Sequence, residues 1–414
     1  MIRIDRRILQ PLGRMSWVMN VAVLLLLATG VLFVYSACYI SDNQPVRSLY
    51  KRQILWAFIG GGCYLACTMI DYRSFRKVAW WGYGACVALL FIVLFIGGGP
   101  AQTHRWLSLF GPRGPNLQPS EFAKLGVILL LARRLSLPGE TYRYGPPVLG
   151  VLALVALPVL LIMAQPDLGT ALVFLPVTAV MMFAARVPLR TIGVLILIGL
   201  LCVGIVLGVV LLPEKAGWSE EAQVKALHAI GLKEYHKNRI MVFFNADRDP
   251  LGAGWNRQQS MIAVGSGGAW GKGFRKGTQN ILGFLPRSVA PTDFVYSVIA
   301  EEMGFAGSVA VLFLYAVLMA VGLHAAFRCR DKMGRLLCAG IMGLVFSHVF
   351  INIAMTVGLM PITGLPLPLL SYGGSLMVVM MSGLGVVQSI YVRSRHVPVV
   401  YEQEHLWRST PAVG

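Results

Sequence analysis

The sequence predicts an all-α, polytopic integral membrane protein with ten transmembrane helices and both termini in the cytoplasm. Its 414 residues are 56% hydrophobic and only 13% charged, whereas a soluble domain carries about 25% charged residues. The apolar residues are gathered into runs of about 20, the length that a helix needs to span a bilayer. Lys and Arg concentrate on one side of these runs, which indicates an orientation.

Ten apolar segments are candidates for the spans. They cover residues 16–37, 54–70, 79–98, 121–135, 148–164, 169–186, 190–212, 294–325, 336–358 and 372–392. The fifth and sixth segments are separated only by a short polar turn at 165–169. Together they would be too long for one span, so two helices are predicted.

The distribution of positive charge predicts that the N-terminus is inside. In that orientation, 19 Lys and Arg residues lie in cytoplasmic segments and only five in the short outer loops, the bias expected of membrane proteins. The chain is therefore expected to form one membrane domain over residues 1–414, with cytoplasmic tails at 1–15 and 394–414 and a large outer loop at 213–293. The net charge of +18 does not indicate a nucleic-acid partner, because the cations lie between apolar runs.

The outer loop at 213–293 has two parts of different composition. Residues 214–237 are rich in charge and are expected to form an amphipathic helix on the membrane surface. Residues 247–283 contain nine glycines, which permit positive φ angles and close backbone approach. Aromatic and amide side chains lie among these glycines, so this part is expected to be a shaped loop around a ligand rather than a flexible linker.

Ionisable side chains lie at the outer ends of several spans, where each costs about 2.5–3.5 kcal/mol on insertion and is therefore a functional candidate. Glu121 and Lys124 share one helix face, so they form either a capping ion pair or a wall of a polar cavity. Asp167 and Asp293 each precede a span and are either N-caps or site residues. With Arg105, these charges suggest one cavity in which cations hold phosphate and a carboxylate acts as general base.

No metal-binding motif is present, and the sequence leaves open whether a divalent cation takes part. The seven cysteines match neither a zinc pattern nor a disulfide framework. His348 and Asn352 are four residues apart in a span, with no third ligand nearby. They are expected to form interhelical hydrogen bonds rather than a metal site.

Three groups of motifs, in one order over about residues 20–393, resemble the SEDS family of membrane proteins. The first group is Gln118-Pro119-Ser120-Glu121-Phe122-Ala123-Lys124 and Gln165-Pro166-Asp167-Leu168-Gly169-Thr170. The second includes Gln258-Gln259-Ser260, Gly265–Gly273, Gly277-Thr278-Gln279, Thr292-Asp293-Phe294 and Ala300–Gly304. The third includes Asn352, Thr363-Gly364 and Ser371–Ser375. The Gly277-Thr278-Gln279 motif is similar to the elongation branch of the family.

The resemblance implies a ten-helix fold that polymerises lipid II into glycan strands on the outer face of the bacterial cytoplasmic membrane. It implies that Asp293 is the general base on the 4-hydroxyl of the acceptor sugar. The substrate-binding residues that it implies are Arg105, Glu121, Lys124, Asp167, Gln259, Ser260 and Ser371. The implied partners are lipid II, the nascent lipid-linked glycan, a class B penicillin-binding protein and elongation-complex proteins.

The sequence departs from the family pattern just before Asp293. The family has Pro-Glu, one further residue and then His-Thr-Asp-Phe. Here Arg287–Pro291 separates Pro286 from Thr292, so the segment is two residues longer and lacks the Glu and the His. Two other functions stay open: a flippase for lipid-linked precursors, because intramembrane charges serve transport equally well, and a scaffold for a transpeptidase, which would not need Asp293.

Overall fold

The computed structural model describes residues 12–41, 43–98, 105–108, 116–137, 145–215, 219, 225, 227, 234–245, 248–250 and 252–394. Helices dominate this part of the chain, and we number twelve of them in chain order. They are α1 (Trp17–Cys38), α2 (Leu49–Met69), α3 (Phe75–Ile96), α4 (Pro119–Leu135), α5 (Pro146–Ala164), α6 (Leu168–Ala184), α7 (Leu189–Lys215), α8 (Glu234–Phe244), α9 (Ala253–Ser266), α10 (Val295–Arg328), α11 (Lys332–Thr356) and α12 (Gly374–Ser394).

Each of the ten predicted apolar segments coincides with a long helix, either α1–α7 or α10–α12. The largest difference is at α2, which begins at Leu49, whereas the prediction began at residue 54. Lys51, Arg52 and Gln53 form a polar first turn that apolar composition does not detect. Among the described residues, seven helices are long and apolar enough to cross a membrane. The chain is therefore a multi-pass membrane protein.

The last two helices form the centre of the molecule. In the most apolar 18-residue stretch of each helix, 83% of the residues of α11 and 89% of those of α12 are buried, against 6% of those of α7. Because an apolar face in a bilayer can contact lipid instead of protein, α7 lies at the periphery. The side chains of α11 and α12 are therefore the most completely surrounded by protein.

A non-helical stretch, which we call the connecting segment (residues 357–373), joins α11 to α12. Leu365, Leu367 and Leu370 in this segment are almost completely buried. Buried backbone outside a helix needs hydrogen-bond partners, and within a membrane protein such backbone is tolerated only inside protein or against a cavity. The fold must therefore supply donors to this segment from elsewhere.

Side chains from five helices bind the carbonyl groups of the connecting segment. The bonds run from Arg257 Nη2 of α9 to Gly358 O (3.0 Å), Arg239 Nη1 of α8 to Ile362 O (2.9 Å), Asn352 Nδ2 of α11 to Leu365 O (2.7 Å), Tyr315 OH of α10 to Pro368 O, and Gln53 Nε2 of α2 to Ser371 O (3.1 Å). The segment is therefore held by tertiary contacts and not by local structure.

The glycine-rich segment packs against a break in α10. Gly304 interrupts α10 with φ 66° and ψ −160°, a conformation suited to glycine. The N–H groups of the next two residues, Phe305 and Ala306, donate to Gly268 O (2.8 Å) and Ala269 O (3.0 Å). The glycines of 267–273 therefore allow two backbones to meet. That the glycine-rich part of the loop surrounds a ligand stays a prediction.

The predicted surface helix at 214–237 lies largely outside the described residues. The structure describes its first residues as the end of α7 and its last residues as the start of α8. Helix α8 lies against α7 and α9. This placement brings Arg239 of α8 to the connecting segment.

Candidate functional site

Asp293 lies one residue before the N-cap of α10, and its position is fixed through its backbone. Its N–H donates to Val289 O (3.0 Å), and its carbonyl accepts from Asn352 Nδ2 (2.9 Å). The carboxylate faces the connecting segment: a Cβ added to Gly364 (φ 72°) would lie 3.5 Å from Asp293 Oδ2. The side chain is partly exposed, so it is accessible.

Burial raises the pKa of the Asp293 carboxyl to about 6, because removal from water disfavours the charged form. A hydrogen bond with Thr292 and the charge of Arg239 act in the opposite direction, whereas the charge of Asp167 raises the pKa further. A carboxylate with a pKa close to the working pH is suited to accept and release a proton.

Asp167 caps the start of α6 and shares the site with Asp293. Its oxygens accept from Thr170 N–H (3.2 Å), Thr170 Oγ1 (2.9 Å) and Gln118 Nε2 (3.3 Å). The sequence left open whether Asp167 is an N-cap or a site residue, and its contacts are compatible with both. Asp167 is an N-cap whose charge also reaches Asp293.

Close packing brings the start of α6 to the connecting segment. A Cβ on Gly169 would lie 2.5 Å from Thr363 O, a distance that no side chain could occupy. Thr363 precedes Gly364, which faces Asp293. The short turn between α5 and α6 and Asp293 therefore both lie against the connecting segment.

Arg105 holds that turn in place. Its Nε donates to Gln165 O (2.9 Å) and its Nη2 donates to Pro166 O. Gln165 in turn donates from Nε2 to Leu90 O (3.0 Å). Arg105 therefore lies beside the site as predicted, but two of its five N–H donors bind backbone oxygens.

Glu121 and Lys124 form a buried ion pair that extends to α11. Lys124 Nζ lies 2.7 Å from Glu121 Oε1 and 2.8 Å from His348 Nε2, and both charged residues are 2% exposed. His348 Nδ1 lies 3.2 Å from Pro366 O. Because a carbonyl can only accept, Nδ1 carries the proton and Nε2 accepts from the lysine. His348 therefore makes the expected interhelical contact, with Lys124 of α4, whereas Asn352 binds the non-helical backbone of Asp293 and Leu365 instead.

The other three predicted substrate-binding residues differ in their availability. The Ser260 hydroxyl lies 2.7 Å from Ser297 Oγ and donates to Thr356 O (2.9 Å), and Ser371 Oγ accepts from Leu367 N–H (2.8 Å). Both hydroxyls therefore hold helices and turns together. Gln259 is 6% exposed, and its side-chain amide makes no hydrogen bond within the described part of the chain.

Arg239 is a site residue that the sequence analysis did not identify. It binds Ile362 O and lies within electrostatic reach of Asp293. The signal was present in the sequence: Arg239 is followed by Ile240, Met241 and Val242, and a cation beside such an apolar run needs a specific partner. Among the described residues, no group of three or more His, Cys, Asp or Glu side chains could hold a metal ion.

The fold and the site define a multi-pass membrane protein in which a carboxyl, Asp293, lies near the charges of Arg239 and Asp167. The family model described as "Cell cycle protein", FtsW/RodA/SpoVE, matches residues 16–396. The chain belongs to this family, which confirms the resemblance found in the sequence motifs.

Several members of the family are similar to this chain along almost its whole length. Peptidoglycan glycosyltransferase MrdB of Escherichia coli K12 is 36% identical over 90% of this chain and 93% of its own length. Peptidoglycan glycosyltransferase RodA of Treponema pallidum is 34% identical over 91% of this chain and 98% of its own. A solved chain, from work on the structural coordination of polymerization and crosslinking by a peptidoglycan synthase complex, matches with a TM-score of 0.71 and 30% identity, over 92% of this chain and 99% of that one.

The ion pair generates a prediction about stability. Replacing Lys124 by Met leaves the Glu121 carboxylate buried without its cation, which costs about 3–5 kcal/mol. We therefore expect Lys124→Met to lower the melting temperature of the purified protein more than the double variant Glu121→Met/Lys124→Met does. Thermal unfolding in detergent measures both.

Lys276→Met is the matched control, because Lys276 is exposed and its replacement should change little. A double variant that is no more stable than Lys124→Met would show that the two charges do not depend on each other.

Proposed function

We propose that this chain is a peptidoglycan glycosyltransferase that polymerises lipid II during cell elongation and maintenance of cell shape. One observation carries the proposal: the chain resembles named peptidoglycan glycosyltransferases over nine-tenths of its length. Asp293, a carboxyl with a pKa of about 6 near the charges of Arg239 and Asp167, supplies the candidate base. The substrate is then the lipid-linked disaccharide, and the product is a β-1,4-linked glycan that stays attached to its lipid.

In the proposed reaction, Asp293 removes the proton from the 4-hydroxyl of the acceptor GlcNAc. The oxygen attacks C1 of the donor MurNAc, a new C–O bond forms, and the bond from C1 to the diphosphate breaks. The configuration at C1 inverts, and the polyprenyl diphosphate leaves with the bonding electron pair. The proton stays on Asp293 until water takes it. General-base help of this kind contributes about 10²–10⁴-fold to rate.

The other residues divide between contact with the substrate and support of the site. Arg239, which lies beside Asp293, is suited to hold diphosphate oxygens. Gln259 has an uncommitted amide for a sugar or peptide group. Arg105, Asp167, Glu121 and Lys124 are predicted substrate-binding residues that also hold the cavity wall together. Ser260 and Ser371 are predicted ones whose hydroxyls already have partners.

We propose that ten helices, α1–α7 and α10–α12, span the bacterial cytoplasmic membrane with both termini inside. The chain then forms one membrane domain over residues 1–414, with tails at 1–15 and 394–414. The excess of Lys and Arg in the inner segments supports this orientation. Residues 213–293 and the cavity at Asp293 then face the outer side, where lipid II is polymerised.

We further propose that the chain works with a class B penicillin-binding protein and other proteins of the elongation complex. A transpeptidase of that class would crosslink the glycan as it emerges. The similarity to a chain from a complex that coordinates polymerization and crosslinking supports this partner.

The central prediction concerns Asp293. Purified protein with its cognate penicillin-binding protein should convert labelled lipid II into glycan polymer, and Asp293→Asn should lose at least a hundredfold in rate, because an amide cannot accept the proton. Gel analysis of the labelled products measures both. The variant should keep its melting temperature, because it removes a charge that burial disfavours.

Equal polymerisation by both proteins would reject Asp293 as the base. Absence of polymer from wild type, with the partner bound, would instead favour the flippase or scaffold alternatives.

The pKa of Asp293 predicts the dependence of kcat/KM on pH. Only the carboxylate acts as base, so kcat/KM should rise with pH to a plateau above about 6 and fall about tenfold at one unit below. Asp167→Asn removes a charge that raises this pKa, so its midpoint should move to lower pH. Arg239→Gln removes a charge that lowers it, so its midpoint should move to higher pH.

Asn is as good an N-cap as Asp, which makes Asp167→Asn a conservative change for the fold. Midpoints that do not move in either variant would exclude Asp293 as the titrating group.

The proposed orientation predicts which residues are accessible from outside. Asn43→Cys lies between α1 and α2 and should react with a membrane-impermeant maleimide on intact spheroplasts. Arg330→Cys lies between α10 and α11 and should react only after permeabilisation. Wild-type protein gives the background from the native cysteines. The reverse pattern would invert the topology.

A further inference from the structure

A compact basic pocket lies at one end of the α1–α2 pair. The pocket has a volume of about 350 Å³, and its walls include Tyr35, Tyr39, Arg47, Tyr50, Lys51 and Arg275. Three of these side chains carry positive charge, and no acidic side chain of the described residues lines the pocket. Charge of this kind selects an anion that accepts several hydrogen bonds, as a phosphate or a diphosphate does.

The pocket is built by fixed contacts and is more than a set of mobile surface cations. Arg275 has a positive φ of 61°, which is strained for a residue with a side chain. Its N–H donates to Glu302 Oε2 (3.0 Å), and its carbonyl accepts from Tyr39 OH (2.8 Å). Its guanidinium lies 4.0 Å from the centre of the Tyr39 ring, in a cation–π contact. This strained backbone conformation places the Arg275 guanidinium at the wall of the pocket.

An apolar groove of about 910 Å³ lies between the same two helices. Leu32 in the groove is three residues from Tyr35 in the pocket, and Ile54 in the groove is three residues from Lys51 in the pocket. Residues three apart on a helix share a face. The basic pocket and the apolar groove are therefore parts of one continuous surface, as an amphiphilic ligand requires.

The length of the groove indicates which kind of hydrocarbon chain it can bind. Its lining on α1 runs from Trp17 to Leu32, which spans roughly 22 Å at about 1.5 Å per residue. One leaflet of the hydrocarbon core is only about 15 Å thick, half of about 30 Å. An acyl chain of a leaflet lipid would fill only part of this length, whereas a long polyprenyl chain reaches across both leaflets.

The size of the pocket selects the headgroup. A volume of about 350 Å³ is close to the lower end of ligand sites, which run from about 300 to 1,000 Å³. It accommodates a diphosphate but not the disaccharide and peptide of lipid II. The chemistry therefore matches the lipid after its sugar has been transferred.

We propose that this surface binds the polyprenyl diphosphate released by the reaction and is the route by which it leaves the enzyme for the bilayer. The inference rests on the proposed function and topology, which supply this leaving group and put the basic pocket at the outer end of the helices. Arg287 Nη1 donates to Ile40 O (3.2 Å), which connects the segment before Asp293 to the outer end of α1. The segment that precedes the proposed base is thus bonded to the end of α1 that carries the pocket.

The test is direct binding without turnover, in the full-length Asp293→Asn protein in nanodiscs. Radiolabelled undecaprenyl diphosphate should bind saturably. Arg47→Gln/Lys51→Gln should weaken its Kd about tenfold or more, because two charge-assisted contacts are lost. The matched control is Arg52→Gln/Lys276→Gln, which removes the same charge from exposed neighbours that do not line the pocket. Equal weakening in both variants would overturn the proposal.

A second pair of variants tests the groove. Gly62→Phe should fill it without a clash, because a Cβ at Gly62 meets nothing within 4 Å, and it should weaken binding of the long-chain ligand. Gly84→Phe on α3 has the same open surroundings outside the groove and should change nothing. Unaltered binding in Gly62→Phe would overturn the assignment of the chain.

Competitors identify the ligand. Excess phosphatidylglycerol, farnesyl diphosphate and inorganic diphosphate should each displace the label poorly. Equal displacement by phosphatidylglycerol would overturn the proposal in favour of a general anionic-lipid site. Because the protein does not turn over in this assay, binding that depends on the pocket would stand even if wild type failed to polymerise lipid II. If wild type polymerises lipid II but the pocket variants bind undecaprenyl diphosphate as tightly as the parent protein, the exit site is rejected and the proposed function is not.

Discussion

The structure depends on the need to satisfy the buried backbone of the connecting segment. A non-helical stretch between two central helices exposes carbonyl groups that must find donors inside the protein. Five helices supply them through side chains such as Arg239, Asn352 and Tyr315. The same requirement builds the site, because Asn352 donates to Leu365 O and to Asp293 O at once. Asp293 is therefore fixed by the bonds that hold the fold together.

The electrostatics around Asp293 follow from this shared construction. Arg239 is brought to Asp293 by its bond to Ile362 O, and Asp167 is brought there by the packing of Gly169 against Thr363. The two charges act on the Asp293 pKa in opposite directions, and burial is the larger effect. A carboxyl in such surroundings stays ionised at neutral pH yet accepts a proton more readily than an ordinary aspartate. The proton affinity of the Asp293 carboxyl thus depends on packing as much as on the residue type.

The sequence predicted the features that depend on local composition, including the long helices and the spacing of Glu121 and Lys124. It also placed Asp293 at a helix start, since a short polar stretch before an apolar run indicates one. It did not predict Arg239, whose partners are more than fifty residues away along the chain. It predicted close backbone approach at the glycines near Gly304 but not the partner, because permissive backbone does not specify what approaches. Contacts between residues far apart in the sequence determine both features, and local composition gives no information about such contacts.

The altered segment before Asp293 shows how the position of this residue can tolerate a change in sequence. Val289 and Ala290 donate to Pro286 O, and Asp293 donates to Val289 O, so the segment folds as consecutive turns of backbone hydrogen bonds. Arg287 anchors these turns to the end of α1. Turns of this kind need no particular side chain at most positions. The Glu and His of the family pattern are therefore not required to place Asp293 here, and Asn352 holds its carbonyl from the opposite side.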